Sequence, residues 1–198
     1  MSGNNELVWI DCEMTGLDLA TDALIEVAVL VTDADLNVLG DGVDVIIATP
    51  EEKLDVMGDF VRDMHTKSGL VDEIRASTVT MSEAEALIMD YVKKYVPEAD
   101  KAPLAGNTIG TDRAFLARDM PTLEGYVHYR NVDVSTIKEL ARRWYQRAFY
   151  LAPEKAGHHR ALADIKESIR ELQYYRAAVF MAQPGLTSDE LKVLADAS

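Results

Sequence analysis

The chain has 198 residues, of which 48% are apolar and 27% charged, a composition typical of a globular protein and unlike that of a disordered or fibrous one. Its formal net charge is -14, from 34 acidic and 20 basic residues. This charge argues against a protein that follows long nucleic acids, because such proteins usually bind the polymer with broad basic surfaces.

The first third of the chain predicts an antiparallel meander of three strands. Residues 7–13 form an apolar run that ends in acidic residues, and residues 24–33 form a second apolar run. After the turn-rich segment 33–42, residues 43–48 supply the third strand.

Helical patterns follow, interrupted by two short strands. Ser82 with Glu85 fits a capping box for a helix that Pro97 ends. Residues 103–106 are short enough for a fourth strand, and a helix over residues 111–120 comes after it.

The last part of the chain predicts a fifth strand over residues 132–134 and two longer helices. Ser135 is the candidate N-cap of a helix over residues 136–145, and the final long helix starts near Arg160. Strands that are first consecutive and then alternate with helices predict a mixed α/β layer fold.

The chain length predicts a single domain over residues 1–198, in which residues 184–198 form a short polar appendage. No apolar run is long enough to cross a bilayer, and a strand that begins by Leu7 leaves no room for a signal peptide, so we expect a cytoplasmic protein without a membrane partner. Cys12 is the only cysteine, so stability must come from packing rather than from an internal disulfide.

Asp11 and Glu13 stand two residues apart in the first predicted strand. Side chains with this spacing project from the same face of a strand. Two close carboxylates oppose each other's ionisation, and a divalent cation relieves that repulsion while it uses both groups as ligands. Two acids at a strand end can also be simply solvated, so the pair by itself leaves both interpretations open.

Three further residues extend this pattern: His159 and Asp164 at the start of the last predicted helix, and Asp112 at the start of the helix after the fourth strand. Each also has an ordinary explanation. Aspartate near a helix N-terminus is favoured by the helix dipole, and a histidine before a helix can be a surface residue.

Taken in chain order, Asp11-x-Glu13, Asp112 and His159-x4-Asp164 resemble the three exonuclease motifs of the DEDDh superfamily of 3′-to-5′ exonucleases. Residues 9–17, 106–113 and 129–140 look like the oligoribonuclease family within that superfamily, and the resemblance runs from residue 7 to about residue 175. It implies a ribonuclease H-like α/β fold, a five-stranded mixed sheet flanked by helices, in which the acidic residues meet in one cleft.

The resemblance implies that Asp11, Glu13, Asp112 and Asp164 hold two divalent cations, Mg²⁺ or Mn²⁺, with Asp11 as the bridging ligand. Oxygen ligands suit these hard ions, whereas structural zinc prefers cysteine and histidine. The family's spacing selects His159 rather than His158 as the general base. An imidazole titrates near neutrality, and the carboxylates are already committed to the metal ions.

The resemblance also implies a site for the bases of a very short RNA. Leu17 would be an apolar wedge between bases and Phe60 a stacking aromatic. Phe60 stands among apolar neighbours as a core residue would, and the family often has tryptophan at this position. His65 would be a surface or interface residue by default, and the family's similar segment lies near the substrate of the partner subunit.

Further implied substrate contacts are Asn107 and a 5′-phosphate cap, which would bind the 5′ phosphate of a dinucleotide through Thr108, Arg130, Ser135 and Thr136. Arginine and hydroxyl groups are suitable donors to phosphate, and a helix that begins at Ser135 adds backbone amides. The family usually has serine at the position of Thr108, and Ser135 can also be an ordinary N-cap. Tyr129 resembles a tyrosine that reaches a neighbouring subunit's site, so a homodimer is expected.

These residues predict a phosphodiester hydrolase that degrades short single-stranded RNA, especially 5′-phosphorylated dinucleotides, to nucleoside 5′-monophosphates, and that does not bind long duplexes. A substrate held at both ends needs no basic track, which agrees with the acidic composition. Two alternatives remain open: a DNA-directed proofreading or repair exonuclease with the same metal ions and base, and a non-catalytic scaffold that binds a partner through this fold.

Overall fold

The computed structural model describes residues 5–154 and 160–197. In chain order, strands β1 to β5 of these residues cover Leu7–Met14, Leu24–Thr32, Val38–Ile46, Pro103–Gly106 and His128–Asp133. Helices α1 to α10 of the same residues cover Glu51–Asp55, Asp59–Lys67, Leu70–Ala76, Met81–Tyr95, Gly110–Asp119, Pro121–Tyr126, Val134–Trp144, Gln146–Tyr150, Ala161–Val179 and Ser188–Asp196. No helix in these described ranges has both the length and the apolar character needed to cross a membrane.

The strands form one mixed sheet in the order β3-β2-β1-β4-β5. The pairs β1–β2 and β2–β3 are antiparallel, and β4 pairs in parallel with both β1 and β5. This topology confirms the predicted five-stranded mixed sheet. Because β1 is the central strand, the residues at its carboxyl end lie in the middle of the sheet.

Helices cover both faces of the sheet, and the side chains of β1 alternate between them. Ile10 and Cys12 pack into the core on the side of α4 and α5. Trp9 packs on the opposite face, against Ile165 and other residues of α9. Because alternate side chains of a strand share a face, Asp11 and Glu13 follow Trp9 onto the α9 side. The alternation therefore directs two acids toward the helix that carries Asp164.

The N-cap of α4 is Thr80, so the prediction of Ser82 with Glu85 as its capping box is wrong. Thr80 Oγ1 accepts a hydrogen bond from the Glu83 amide at 3.3 Å, and the Glu83 carboxylate accepts one from the Thr80 amide at 2.8 Å. Glu85 instead accepts hydrogen bonds from two backbone amides in the first turn of α6. The sequence therefore contains two overlapping capping patterns. The first one, Thr80 with Glu83, caps α4, whereas Glu85 of the second one contacts α6.

Two strands differ from their predicted bounds. β3 begins at Val38 rather than at residue 43, because Gly40 and Gly42 adopt φ angles of 77° and 85° and let the strand pass through an irregular turn-like segment. β5 covers His128–Asp133 rather than residues 132–134. Its last residue, Asp133, is the N-cap of α7 and accepts a hydrogen bond from the Ser135 amide, so the prediction of Ser135 as N-cap is wrong.

Candidate active site

Acidic side chains converge where the carboxyl end of β1 meets α9. One carboxylate oxygen from each of Asp11, Glu13 and Asp164 lies within 4.8 Å of the other two. Asp112 joins them from the first turn of α5, where its Oδ1 accepts a hydrogen bond of 2.9 Å from the Cys12 amide. The four acids singled out in the sequence are therefore gathered around the end of one strand.

Burial and crowding oppose the ionisation of these carboxyl groups. Burial, followed by the charges of Asp112, Glu13 and Asp164, raises the pKa of Asp11 to about 9. Burial and the charges of Asp164 and Asp112 raise the pKa of Glu13 to about 7. Burial also raises the pKa of Asp112 to about 6, against hydrogen bonds from backbone amides that favour its charged form. A bound cation would oppose these shifts, because its positive charge favours the ionised form of each carboxyl group.

The donor set suits a hard divalent cation. Among the described residues, the group at the end of β1 that can share an ion consists of carboxylates alone. The thiol of Cys12 packs into the apolar core and contacts the carboxyl group of Asp112, but it is not a member of the group. Oxygen ligands of this kind favour Mg²⁺ or Mn²⁺ over zinc.

We expect the metal-free protein to lose stability as the pH rises from 5 to 9. In the unfolded chain these acids release their protons at roughly pH 4, whereas in the folded chain Asp11 and Glu13 hold them up to about 9 and 7. Glu26, buried beside Asp44 with a pKa of about 8, acts in the same direction. Between these limits the folded state binds more protons than the unfolded state, so the free energy of unfolding falls with pH.

Thermal unfolding between pH 5 and 9, with chelator or with Mn²⁺, measures this dependence. Mn²⁺ should raise the melting temperature more at pH 8 than at pH 5, because protons compete with the cation for the carboxylates. Asp11→Asn removes the group with the largest of these pKa values, so its metal-free stability should depend less on pH. A melting temperature in chelator that rises over this range would contradict the expectation.

Arg160 anchors the start of α9, a role that the sequence analysis missed. Its guanidinium donates to both carboxylate oxygens of Glu73 in α3, at 2.9 Å each, and its Nε lies 3.3 Å from the buried Glu26 of β2. The Arg160 carbonyl accepts a hydrogen bond from the Asp164 amide at 3.0 Å. No local pattern predicts these pairs, because both partners are distant in sequence.

The predicted general base, His159, and its neighbour His158 lie outside the described residues. The assignment of His159 rather than His158 therefore stays a prediction.

His65 is fully buried, so the expectation of a surface or interface position is wrong. Its Nε2 lies 2.9 Å from the Met14 carbonyl, and its Nδ1 lies 4.0 Å from the Glu13 carboxylate. The ring packs between α2 and the end of β1 and leaves no exposed surface for a substrate. The ring therefore lies against the Met14 backbone and against Glu13, a member of the acidic cluster.

Leu17 and Phe60 are exposed to solvent, by 75% and 79% respectively. The interpretation of Phe60 as a core residue is therefore wrong; Leu54 and Met57 occupy the nearby core instead. Leu17 follows the end of β1, and Phe60 belongs to α2, the helix whose His65 contacts Met14. Both apolar side chains are accessible from solvent.

The structure brings two members of the 5′-phosphate cap together. Thr108 Oγ1 and Ser135 Oγ are 3.2 Å apart. The Asp133 carboxylate accepts hydrogen bonds from the amides of Thr108 and Ser135, at 3.0 and 2.9 Å, and so holds Thr108 at a positive φ of 55°. These two amides already donate to Asp133, so neither of them is available to a phosphate. Ser135 Oγ donates to Asn107 Oδ1, so the Thr108 hydroxyl is the donor in its contact with Ser135 and both protons are used. The exposed Thr136 and Arg130 remain as donors.

The side-chain amide of Asn107 is engaged in hydrogen bonds within the protein and contacts the 5′-phosphate cap through Ser135. Its Nδ2 donates to Ser168 Oγ at 2.7 Å and to Glu171 at 3.2 Å, and its Oδ1 accepts from Ser135 Oγ at 3.0 Å. Ser168 Oγ also donates to the Asp164 carbonyl at 2.9 Å. This network joins the cap to α9.

The remaining predicted residues lie at the surface. Tyr129, Arg130 and Thr136 are exposed. The guanidinium of Arg130 lies 5.5 Å from the centre of the Tyr129 ring, within reach of a cation–π interaction.

Comparisons with known proteins show to which proteins the chain is similar. Residues 8–172 match the family model RNase_T, described as Exonuclease. The chain is 62% identical to an oligoribonuclease of Streptomyces coelicolor over 192 residues, which cover 97% of this chain and 96% of the relative. It is 67% identical to an oligoribonuclease of Cutibacterium acnes over 179 residues, 90% of this chain and 88% of the relative.

Among solved structures, the fold is similar to E. coli Exonuclease I in complex with a dA16 oligonucleotide, with a TM-score of 0.65 and 14% identity. The similarity covers 88% of this chain and 41% of that chain, so this chain spans less than half the length of that protein. A likeness at this identity shows the fold alone, and it confirms the ribonuclease H-like architecture.

Proposed function

This chain belongs to the exonuclease family whose model it matches over residues 8–172, and from that membership we propose that it is a metal-dependent 3′-to-5′ exoribonuclease that degrades short RNA to nucleoside 5′-monophosphates. The observation that carries the proposal is the meeting of Asp11, Glu13 and Asp164 within 4.8 Å, with Asp112 hydrogen-bonded to the same strand. Relatives at 62% and 67% identity carry the name oligoribonuclease, which supports RNA as the substrate.

In the proposed mechanism, Asp11, Glu13, Asp112 and Asp164 would hold two divalent cations, Mg²⁺ or Mn²⁺. Such cations activate the attacking water, neutralise charge on the phosphoryl group and stabilise the departing 3′ oxygen. The chain's own contribution is to fix the ligands. β1 presents two of them on one face, the Cys12 amide orients Asp112 at 2.9 Å, and Asp164 lies one turn after Arg160, to whose carbonyl its amide donates.

His159 is proposed to accept the proton of the attacking water. The carboxylates cannot take this role while they bind cations, and an imidazole is neutral over much of the physiological pH range. The family's His-x4-Asp spacing, which places His159 five residues before Asp164, supports the assignment.

Selection of very short RNA is proposed to come from contacts at both ends of the substrate. The exposed Leu17 and Phe60 would stack on bases, an interaction that tolerates any base. The 5′-phosphate cap would receive the other end through Arg130 and the Thr136 hydroxyl. Thr108 and Ser135 would join them by turning their hydroxyl groups from each other and from Asn107 toward the phosphate. Of these donors Arg130 should bind the phosphate most strongly, because its hydrogen bonds are charge-assisted.

The active form is proposed to be a homodimer in the cytoplasm. The 71% exposure of Tyr129 supports the dimer, because this residue resembles a tyrosine that reaches a neighbouring subunit's site. The single cysteine supports a cytoplasmic location, since a chain without an internal disulfide does not need an oxidising compartment.

Turnover of 5′-phosphorylated RNA of 2 to 20 nucleotides, with and without chelator, tests the proposal. We expect the dinucleotide to be cleaved faster per end than the 20-mer by at least about 10-fold, since losing a charged hydrogen bond to the 5′ phosphate costs on the order of 1.5 to 3 kcal/mol. Chelator should stop the reaction. Equal rates per end would contradict the 5′-phosphate cap.

A DNA dinucleotide of the same sequence separates the alternative substrate class. An enzyme that reads the 2′-hydroxyl should prefer RNA. Equal or faster turnover of the DNA dinucleotide would favour a DNA-directed exonuclease, and an absence of both turnover and Mn²⁺ binding would favour a scaffold.

A further inference from the structure

Tyr129 and Arg130 form a bulge in β5. His128 pairs with Pro103 of β4, and the next pair joins Asn131 to Leu104, so two residues of β5 stand where β4 has none. A bulge turns inserted side chains out of the sheet and frees their backbone groups from the ladder. The freed groups need other partners, because unpaired backbone groups are costly.

Arg113 of α5 supplies those partners. Its Nη1 donates to the carbonyl oxygens of His128 and Tyr129, at 3.1 and 3.0 Å, and to Asn131 Oδ1 at 2.8 Å. The guanidinium therefore contacts the bulge on both sides. It is itself oriented by Glu124 of α6, whose Oε1 accepts from Nε and Nη2 at 3.0 and 2.8 Å.

Contacts inside the bulge add to its order. The Arg130 amide donates to His128 Nδ1 at 3.2 Å, and the rings of His128 and Tyr129 lie 4.4 Å apart. Both contacts join the bulge to the side chain of His128, the residue just before it. Arg113 and Glu124 connect the bulge to the helices beneath it, and Arg113 directly follows Asp112 in the chain.

We propose that Arg113 is a positioning residue that holds the bulge so that Arg130 meets the 5′ phosphate of the substrate. The inference rests on the proposed role of Arg130 in the 5′-phosphate cap. Only a planar guanidinium fits this arrangement. Its Nε and Nη2 donate to Glu124, while its Nη1 donates to three oxygen atoms of β5. A lysine ammonium keeps the charge but cannot serve both groups of acceptors.

The test compares a 5′-phosphorylated RNA dinucleotide with the same dinucleotide bearing a 5′-hydroxyl, using the full chain with Mn²⁺. In Arg113→Met, KM for the phosphorylated dinucleotide should rise roughly 10-fold, and kcat should stay within about 3-fold, because the cations and their ligands are untouched. Turnover of the 5′-hydroxyl substrate should change little. Arg113→Lys should fall between the parent and Arg113→Met.

Two further variants separate the role of Arg113 from that of Arg130. Arg130→Ala should lose the preference for the phosphorylated substrate, and adding Arg113→Met to it should cause no further loss, since both act on one contact. Arg142→Lys is the matched control: this exposed arginine pairs with Glu139 in α7, and the conservative change should leave both substrates unaffected.

The outcomes distinguish the positioning role of Arg113 from the 5′-phosphate cap itself. If Arg130→Ala loses the preference and Arg113→Met keeps it, the positioning role is wrong and the 5′-phosphate cap stands. If Arg130→Ala keeps the preference, both are wrong. Equal losses for the two substrates in Arg113→Met would also overturn the inference, because they would indicate a disturbed Asp112. Should Arg113→Met fail to fold, Arg113→Lys and Glu124→Gln carry the same comparison with smaller expected effects.

Discussion

Asp11→Asn is expected to lower turnover of a 5′-phosphorylated RNA dinucleotide by at least about 10³-fold, since cations at such sites supply several kcal/mol of charge stabilisation in the transition state. Asparagine keeps the shape of the side chain and removes its charge. The same variant should be more stable than the parent without metal. Burial and four neighbouring acids raise the pKa of Asp11 to about 9, so its ionised form is unfavourable in the folded chain.

Three measurements follow the variant: turnover, Mn²⁺ binding by calorimetry and thermal unfolding in chelator. Asp44→Asn is the matched control. Ala28 of β2 pairs with Asp11 on one side and with Asp44 of β3 on the other, so the two acids lie on one row across the sheet. Burial also raises the pKa of Asp44. This control should gain metal-free stability while it keeps its turnover, because Asp44 is not among the proposed ligands. Asp11→Asn with turnover within 10-fold of the parent and unchanged Mn²⁺ affinity would contradict the role of Asp11 as a cation ligand.

The sequence predicted the central strands and the long helix α9, because the patterns that indicate them are local and strong. β2 is buried along its whole length, and a long apolar run predicts a buried strand without knowledge of its neighbours. The alternation along β1 likewise placed Asp11 and Glu13 on one face. Boundaries were less predictable, since they depend on tertiary contacts: Glu85 serves α6, and Asp133 ends β5 and caps α7.

The surroundings of the candidate site were harder to predict, and α2 shows why. Local hydrophobicity favours burying Phe60 and exposing His65, whereas Phe60 is exposed by 79% and His65 is fully buried. The histidine is buried because it lies within hydrogen-bonding distance of the Met14 carbonyl. A polar group with such a partner can be buried at little cost, which no hydrophobicity pattern records.

Arg113 and Arg160 illustrate a second limit. Each arginine joins elements that are distant in the chain: Arg113 holds the bulge of β5, and Arg160 joins α9 to Glu26 and Glu73. In the sequence both are ordinary arginines at the beginning of a helix. The spacing of the acids predicted which residues gather, and the structure adds the residues that hold their helices in place.

His159→Ala is expected to keep cation binding and to lose roughly 10² to 10⁴ in turnover, the usual span for removal of a general base. The parent enzyme should gain activity as the pH rises through roughly 6.5, where an imidazole loses its proton. With saturating Mn²⁺ at every pH, the variant should lose this dependence, because the group that accepts the proton of the attacking water has been removed. Turnover from pH 5 to 9 and Mn²⁺ calorimetry measure the two effects.

His158→Ala is the matched control for this prediction, since it removes an identical side chain from the adjacent position. It should retain the turnover and the pH dependence of the parent. The opposite pattern, with loss only in His158→Ala, would assign the base to His158 and contradict the family spacing. Loss of Mn²⁺ binding in His159→Ala, as large as its loss of turnover, would make the histidine a cation ligand, because removal of a base alone leaves the carboxylates able to bind metal.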